Sequence, residues 1–143
     1  MYDRPTLSFD EALRGLHAAL AEAGKDGKPV TVAIVDHRGD LVCYGAQDET
    51  QVISRTMAIQ KAYTAALALQ STRGYTEKID RLYDNAIELH LGPRATSVKG
   101  GIHIRRPGDG LPLGGIGVSG GVSAERDEEI GRLAIAAMGL DHA

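Results

Sequence analysis

The stretch that most constrains this chain is Gly114-Gly115-Ile116-Gly117-Val118-Ser119-Gly120-Gly121, with Ser123-Ala124-Glu125-Arg126-Asp127-Glu128-Glu129 soon after it. It reads as a short apolar strand, bare at alternate positions, that turns on glycine into an acid-rich helix start. Glycine inside a strand marks the close approach of another backbone or of a ligand. The turn beyond it presents backbone N–H groups at a helix N-terminus, where anions are favoured. Two readings stand at this point: a strand packed tightly against a neighbouring helix, or a site for an anion.

The surrounding chain reads as an antiparallel sheet with helices packed on it, an α+β order of helix, hairpin, helices, hairpin, helix. Ser8-Phe9-Asp10-Glu11 is a capping box, and Phe9, Leu13, Leu16 and Leu20 repeat at helical spacing behind it. His17 falls at the edge of that stripe, partly exposed. Residues 30–35 are rich in β-branched side chains and read as a buried strand; Asp36-His37-Arg38-Gly39 turns it into a second strand at 40–44. His37 sits at the tip of this hairpin, where a loop residue is free to meet a ligand.

A long helix is expected over 52–70, with Ala58, Ala62 and Ala66 on one stripe and Met57, Lys61, Thr64, Ala65 and Ala68 on the next. So much alanine implies close packing. Lys61 either keeps its ammonium in water or awaits a carboxylate or propionate. Arg55 lies in the first turn, where the helix dipole disfavours a cation, which hints at an anionic partner. A second helical segment starts near Gly74, includes Ile79, Leu82 and Ile87 and reaches toward His90; Gly92-Pro93 stops it and Arg94 follows. A strand at 100–105 puts Ile102 and Ile104 on one face and His103 and Arg105 on the other. Pro107-Gly108-Asp109-Gly110 turns it into the last strand, 111–118. The final helix carries its acids in the first turns, which suits the dipole, with Ile130, Leu133, Ala134, Ala137 and Met138 as its apolar face.

Composition narrows the function. With 143 residues the chain is long enough for one cored domain spanning 1–143. Its net charge of −3 and scattered basic residues argue against nucleic acid. The N-terminal residues lack the apolar core of a signal peptide and no run is long enough to span a bilayer, so a cytoplasmic protein with no membrane partner is expected. Cys43, the single cysteine, allows no internal disulfide and no cysteine-based metal cluster; it falls in a strand pattern as a small buried thiol. The five histidines match no metal-ligand spacing, so no metal site is assigned. Neither a Gly-x-Ser-x-Gly elbow nor a dinucleotide-binding glycine fingerprint is present. What remains is a pocket for a small anionic ligand. Its candidate parts are the backbone at Gly115, Gly117 and Gly120, the Ser119 hydroxyl, and the cations Arg55, Lys61 and Arg94. His90 and His103 are candidates for acid–base work or for an iron ligand.

The segments Val35-Asp36-His37-Arg38-Gly39-Asp40-Leu41, Lys61-Ala62-Tyr63-Thr64-Ala65, Gly100-Gly101-Ile102 and Gly115-Ile116-Gly117-Val118-Ser119-Gly120, with Asp127-Glu128 beyond, resemble the GlcG/HbpS-like family. That family also supplies the C-terminal domain of PduO-type proteins. The resemblance covers nearly the whole chain. It implies a profilin-like α-β-α sandwich, a homo-oligomer, and in several members binding of haem or a related tetrapyrrole. His103 stands where the family often carries proline. On this reading haem is the cofactor to expect, in a pocket between the sheet and the long helix, with Lys61, Arg55 or Arg94 pairing the propionates and a histidine near the iron. The alternative is an isomerase, tautomerase or lyase for a small carboxylate, with Arg94 and Lys61 as the clamp, His103 or His90 moving the proton and the glycine turn stabilising an oxyanion.

Overall fold

Val32, Ile34, Ile116 and Val118 alternate with Ala33, Val35, Gly115 and Gly117, and this alternation decides how the layers stack. The computed structural model describes residues 1–83 and 91–143, with 81–83 by backbone alone. Its sheet has strands β1 (Thr31–Asp36), β2 (Leu41–Ala46), β3 (Gly101–Arg105), β4 (Pro112–Ser119) and β5 (Asp141–His142). They lie in the order β2-β1-β4-β3-β5, and every pairing is antiparallel. The register aligns Ile34, Ile116 and Ile102 across three strands, and on the opposite face Ala33, Gly117 and Gly101. One face of the sheet is therefore large and aliphatic, the other small.

Each face takes the helices that fit it. Helices α1 (Phe9–Gly24) and α4 (Ala124–Ala137) cover the aliphatic face. There Val32, Ile34, Ile102, Ile104, Ile116 and Ile130 are sealed in one cluster with Leu16, Ala19 and Ile135. Each fully buried aliphatic side chain of this kind contributes about 1.5–3 kcal/mol. Helix α2 (Val52–Ala68) lies on the small face and α3 (Thr72–Tyr83) follows it. The result is the expected α+β fold, a profilin-like α-β-α sandwich.

Local chemistry sets the boundaries. Ser8 Oγ accepts from the Glu11 N–H at 3.2 Å and the Glu11 carboxylate accepts from the Ser8 N–H at 3.0 Å, so the capping box forms. At the β1–β2 turn Asp36 Oδ1 accepts from the N–H groups of Arg38 and Asp40 at 2.9 and 3.1 Å, and Gly39 takes φ +84°. Cys43 is buried, and desolvation pushes its thiol pKa up.

Two expectations need correction, and one strand was not foreseen. Phe9 is 58% exposed; α1 buries Ala12, Gly15, Leu16, Ala19 and Ala23 instead, with Gly15 directly against the Met138 side chain. In α4 Leu133 and Ala137 face solvent, while Asp127, Glu128, Gly131 and Ile135 turn inward. Gly131 makes this rotation possible, because a Cβ there would stand 3.0 Å from Ile102 Cγ1. Strand β5, which adds to the edge of β3, has no signature in its own two residues.

Candidate functional site

The glycines of β4 resolve the first ambiguity in favour of packing. A Cβ on Gly117 would run into the Ala58 carbonyl oxygen, and one on Gly115 into the Ala62 carbonyl oxygen. One on Gly101 would meet the carbonyl of Lys61. Helix α2 thus rests its backbone on the strand, and Ala58, Ala62 and Ala66 pack with Ala33 and Val35 beside it. The sheet and α2 are in direct contact here, so the pocket expected between them is not where the expectation put it.

Lys61 is one of the residues this packing encloses, with 3% of its surface exposed. Its ammonium donates to the Val118 carbonyl at 2.8 Å and pairs with Asp127 Oδ2 at 3.6 Å. Asp127 Oδ1 in turn accepts from the Gly121 N–H at 3.0 Å. The carboxylate that Lys61 called for comes from the first turn of α4. Burial pulls the Lys61 pKa down and pushes the Asp127 pKa up, with their mutual attraction opposing both shifts. Ser119 is buried at the end of β4, opposite Thr31. Gly120 takes φ +99°, and a Cβ there would crowd Ser54 Oγ at 3.1 Å and Thr50 Oγ1 at 3.3 Å.

His103 projects from β3 toward α2 and is 2% exposed. Its Nδ1 lies 3.1 Å from the Ala65 carbonyl, and the ring also meets the backbone of Gly114. Desolvation lowers its pKa from 6.5, partly opposed by those carbonyls. The folded chain therefore refuses a proton that the unfolded chain accepts near pH 6.5. Stability from this residue is full above that range and declines as the pH falls through it. In urea titrations between pH 8 and 5, the wild type should lose up to about 1.4 kcal/mol per pH unit more than His103→Gln below pH 6.5. Parallel pH profiles for the two proteins would contradict this.

The cations Arg55 and Arg94 lie elsewhere. Arg55 is exposed on the first turn of α2, where its carbonyl accepts from the Tyr44 hydroxyl at 3.1 Å. Arg94 lies over the Tyr63 ring, 4.1 Å from its centroid, and donates from Nη2 to the phenolic oxygen at 3.1 Å. A guanidinium held over an aromatic face is attracted by the ring quadrupole. These two residues line a cleft of about 260 Å³ with Gly39, Thr56, Ile59 and Pro93. The β1–β2 turn closes one side: a Cβ on Gly39 would press on Tyr63 Cδ2 at 2.7 Å. Ile59 stands one helical turn beyond Arg55, so Arg55 flanks this surface.

The structure therefore brings Arg94 to an open apolar cleft and Arg55 near it. It separates them from Lys61, Ser119, Gly115, Gly117 and His103, which are enclosed. His90 lies outside the described residues. Tyr63, which lines the cleft, was not among the candidates read from the sequence; its signal was a lone aromatic in an alanine-rich helix. Among the described residues no helix is long and apolar enough to cross a membrane.

Residues 7–136 match the sequence model of the haem-degrading protein HbpS-like family, and the chain belongs to that family. It is 33% identical to the corrinoid adenosyltransferase PduO of Citrobacter freundii over 138 residues, 94% of this chain but 40% of PduO. The chain thus spans about two-fifths of the length of that relative. It is 30% identical to protein GlcG of Escherichia coli K12, covering 83% of this chain and 85% of GlcG. Among solved structures, a haem complex of PduOC superposes with a TM-score of 0.85 at 31% identity, over 95% of this chain and 97% of the other. A double mutant of HbpS from Streptomyces reticuli superposes at 0.84 with 29% identity, over 95% and 89%.

Proposed function

We propose that this chain binds haem or a related tetrapyrrole on the outer face of α2, at the cleft of Tyr63 and Arg94. One observation carries the proposal: a fixed guanidinium stands at the rim of an apolar cleft on a chain whose relative PduOC is known as a haem complex. A tetrapyrrole needs apolar contact for its ring and cations for its propionates. Ile59 and Pro93 supply the first, Arg94 the second, and Arg55 is a further cation one turn away. Tyr63 Oη is an oxygen able to ligate iron, as tyrosine does in some haem proteins. When bound, haem would supply redox and oxygen chemistry; the protein's part is to hold and orient it.

The cleft is smaller than the roughly 300–1,000 Å³ of most ligand pockets. It therefore fits one edge of the macrocycle, leaving the rest against Val52, Ile53 and Ile59, which are 84, 67 and 37% exposed. Assembly into a homo-oligomer, with a second copy over that surface, belongs to the same proposal, as does a cytoplasmic location. No specific observation favours the carboxylate-enzyme reading: of its two candidate proton carriers, His103 has its ring enclosed by Ala65 and Gly114, and His90 lies outside the described residues.

Removing a charge-assisted contact worth about 1.5–3 kcal/mol weakens binding by roughly 10- to 150-fold. Arg94→Ala should raise the Kd for haemin within that range while its circular dichroism stays unchanged. An affinity equal to the wild type would remove Arg94, and with it this cleft, from the proposal.

A further inference from the structure

A second cleft lies on the opposite side of the glycine strands, where the starts of α3 and α4 meet β5. We propose that it binds a small organic anion, through a carboxylate or phosphate group, independently of any tetrapyrrole site. It encloses about 400 Å³, and Ile102 is among its lining residues. That volume lies in the ordinary range for small-molecule pockets.

Its cations are prepared for a ligand. Arg73 is locked by Glu128, which accepts from Nε at 3.0 Å and from Nη2 at 2.7 Å, and by Glu125 at 3.2 Å. Those bonds use Nε and Nη2. Nη1 has no hydrogen-bond partner among the described residues, so a rigid guanidinium keeps two donors for a ligand. Arg132 follows Glu128 by one turn on the same face of α4, lines the cleft, is exposed, and has no ion pair among the described residues. Lys99 is close enough to Glu125 to help lower its pKa. Both carboxylates are thus already engaged by cations, Glu128 by Arg73 and Glu125 by Arg73 and Lys99, which leaves Arg132 as a lining cation whose charge is not spent on an ion pair among the described residues.

The test is a thermal-shift titration of the wild type and Arg132→Gln with succinate, glycerol phosphate and inorganic phosphate, each against sodium chloride at matched ionic strength. Binding to the folded state raises the melting temperature in proportion to the logarithm of ligand concentration above Kd. A rise above the chloride control with one of these anions, displaced to at least tenfold higher concentration in Arg132→Gln, is the expected result. Which anion acts distinguishes a carboxylate from a phosphate group. Without ligand the variant should melt with the wild type, because Arg132 bonds to nothing among the described residues. Arg94→Ala should respond like the wild type, so failure of the tetrapyrrole proposal leaves this one standing. No shift beyond chloride, or an equal shift in Arg132→Gln, would overturn the proposal.

Discussion

Lys61→Met should destabilise the folded chain by about 3–5 kcal/mol, the cost of leaving one member of a buried ion pair without its counter-charge. The reason lies in what remains. Asp127 is 5% exposed, and with Lys61 gone its carboxylate keeps the Gly121 N–H and the more distant Lys28 charge. The Val118 carbonyl loses its ammonium donor as well. Adding Asp127→Asn should restore part of the loss, since the amide removes the buried charge and its oxygen can still accept from Gly121. The pH dependence has a definite sign. The Asp127 pKa is raised in the folded chain, so its contribution is present below the ordinary carboxylate range and is lost as the pH rises through the folded value. The deficit of Lys61→Met should therefore be smaller at acid pH than at pH 7, and the dependence should vanish with Asp127→Asn. Urea denaturation at two pH values reads all of this. A loss under 1 kcal/mol on the scale of exposed pairs would show that the pair is solvated.

Gly117→Ala should cost about 3 kcal/mol, the upper part of the range for overpacked cores. The added methyl meets the Ala58 carbonyl on one side and the Ala62 nitrogen at 2.7 Å on the other. Both are backbone atoms of α2, so no rotamer change relieves the contact, and the helix must lift from the sheet. Gly24→Ala is the matching control. Nothing lies within 4 Å of the added Cβ at the end of α1, and replacing a helical glycine there gains up to about 1 kcal/mol. Equal midpoints for the two variants in urea would mean that α2 does not sit on β4 as described.

What the sequence disclosed, and what it hid, follow from the range of the interactions. The β1–β2 hairpin and the capping box of α1 were legible because Asp36, Gly39, Ser8 and Glu11 act on backbone within four residues of themselves. The glycines of β4 and the alanines of α2 were legible as a demand for close contact, and each turned out to be the partner the other needed. The pair of Lys61 with Asp127 joins two helices through the end of a strand, and nothing local to either residue announces it. The same holds for Tyr63 and Arg94, which lie far apart in the chain and meet only in the folded structure. Stripe-counting failed in α1 and α4 for another reason. Where Gly15 and Gly131 make close contacts and Ala19 is fully buried, the buried face is marked by small residues, and Phe9 and Leu133 can stay in water.

The most direct measurement is a titration of the purified chain with haemin, followed by Soret absorbance, with Arg94→Ala and Lys61→Met measured alongside. Saturation at a fixed ratio to protein, with weakened binding in Arg94→Ala and no weakening in folded Lys61→Met, is the result expected of a site on the outer face of α2. Binding that does not saturate, or that follows Lys61 and ignores Arg94, would contradict it.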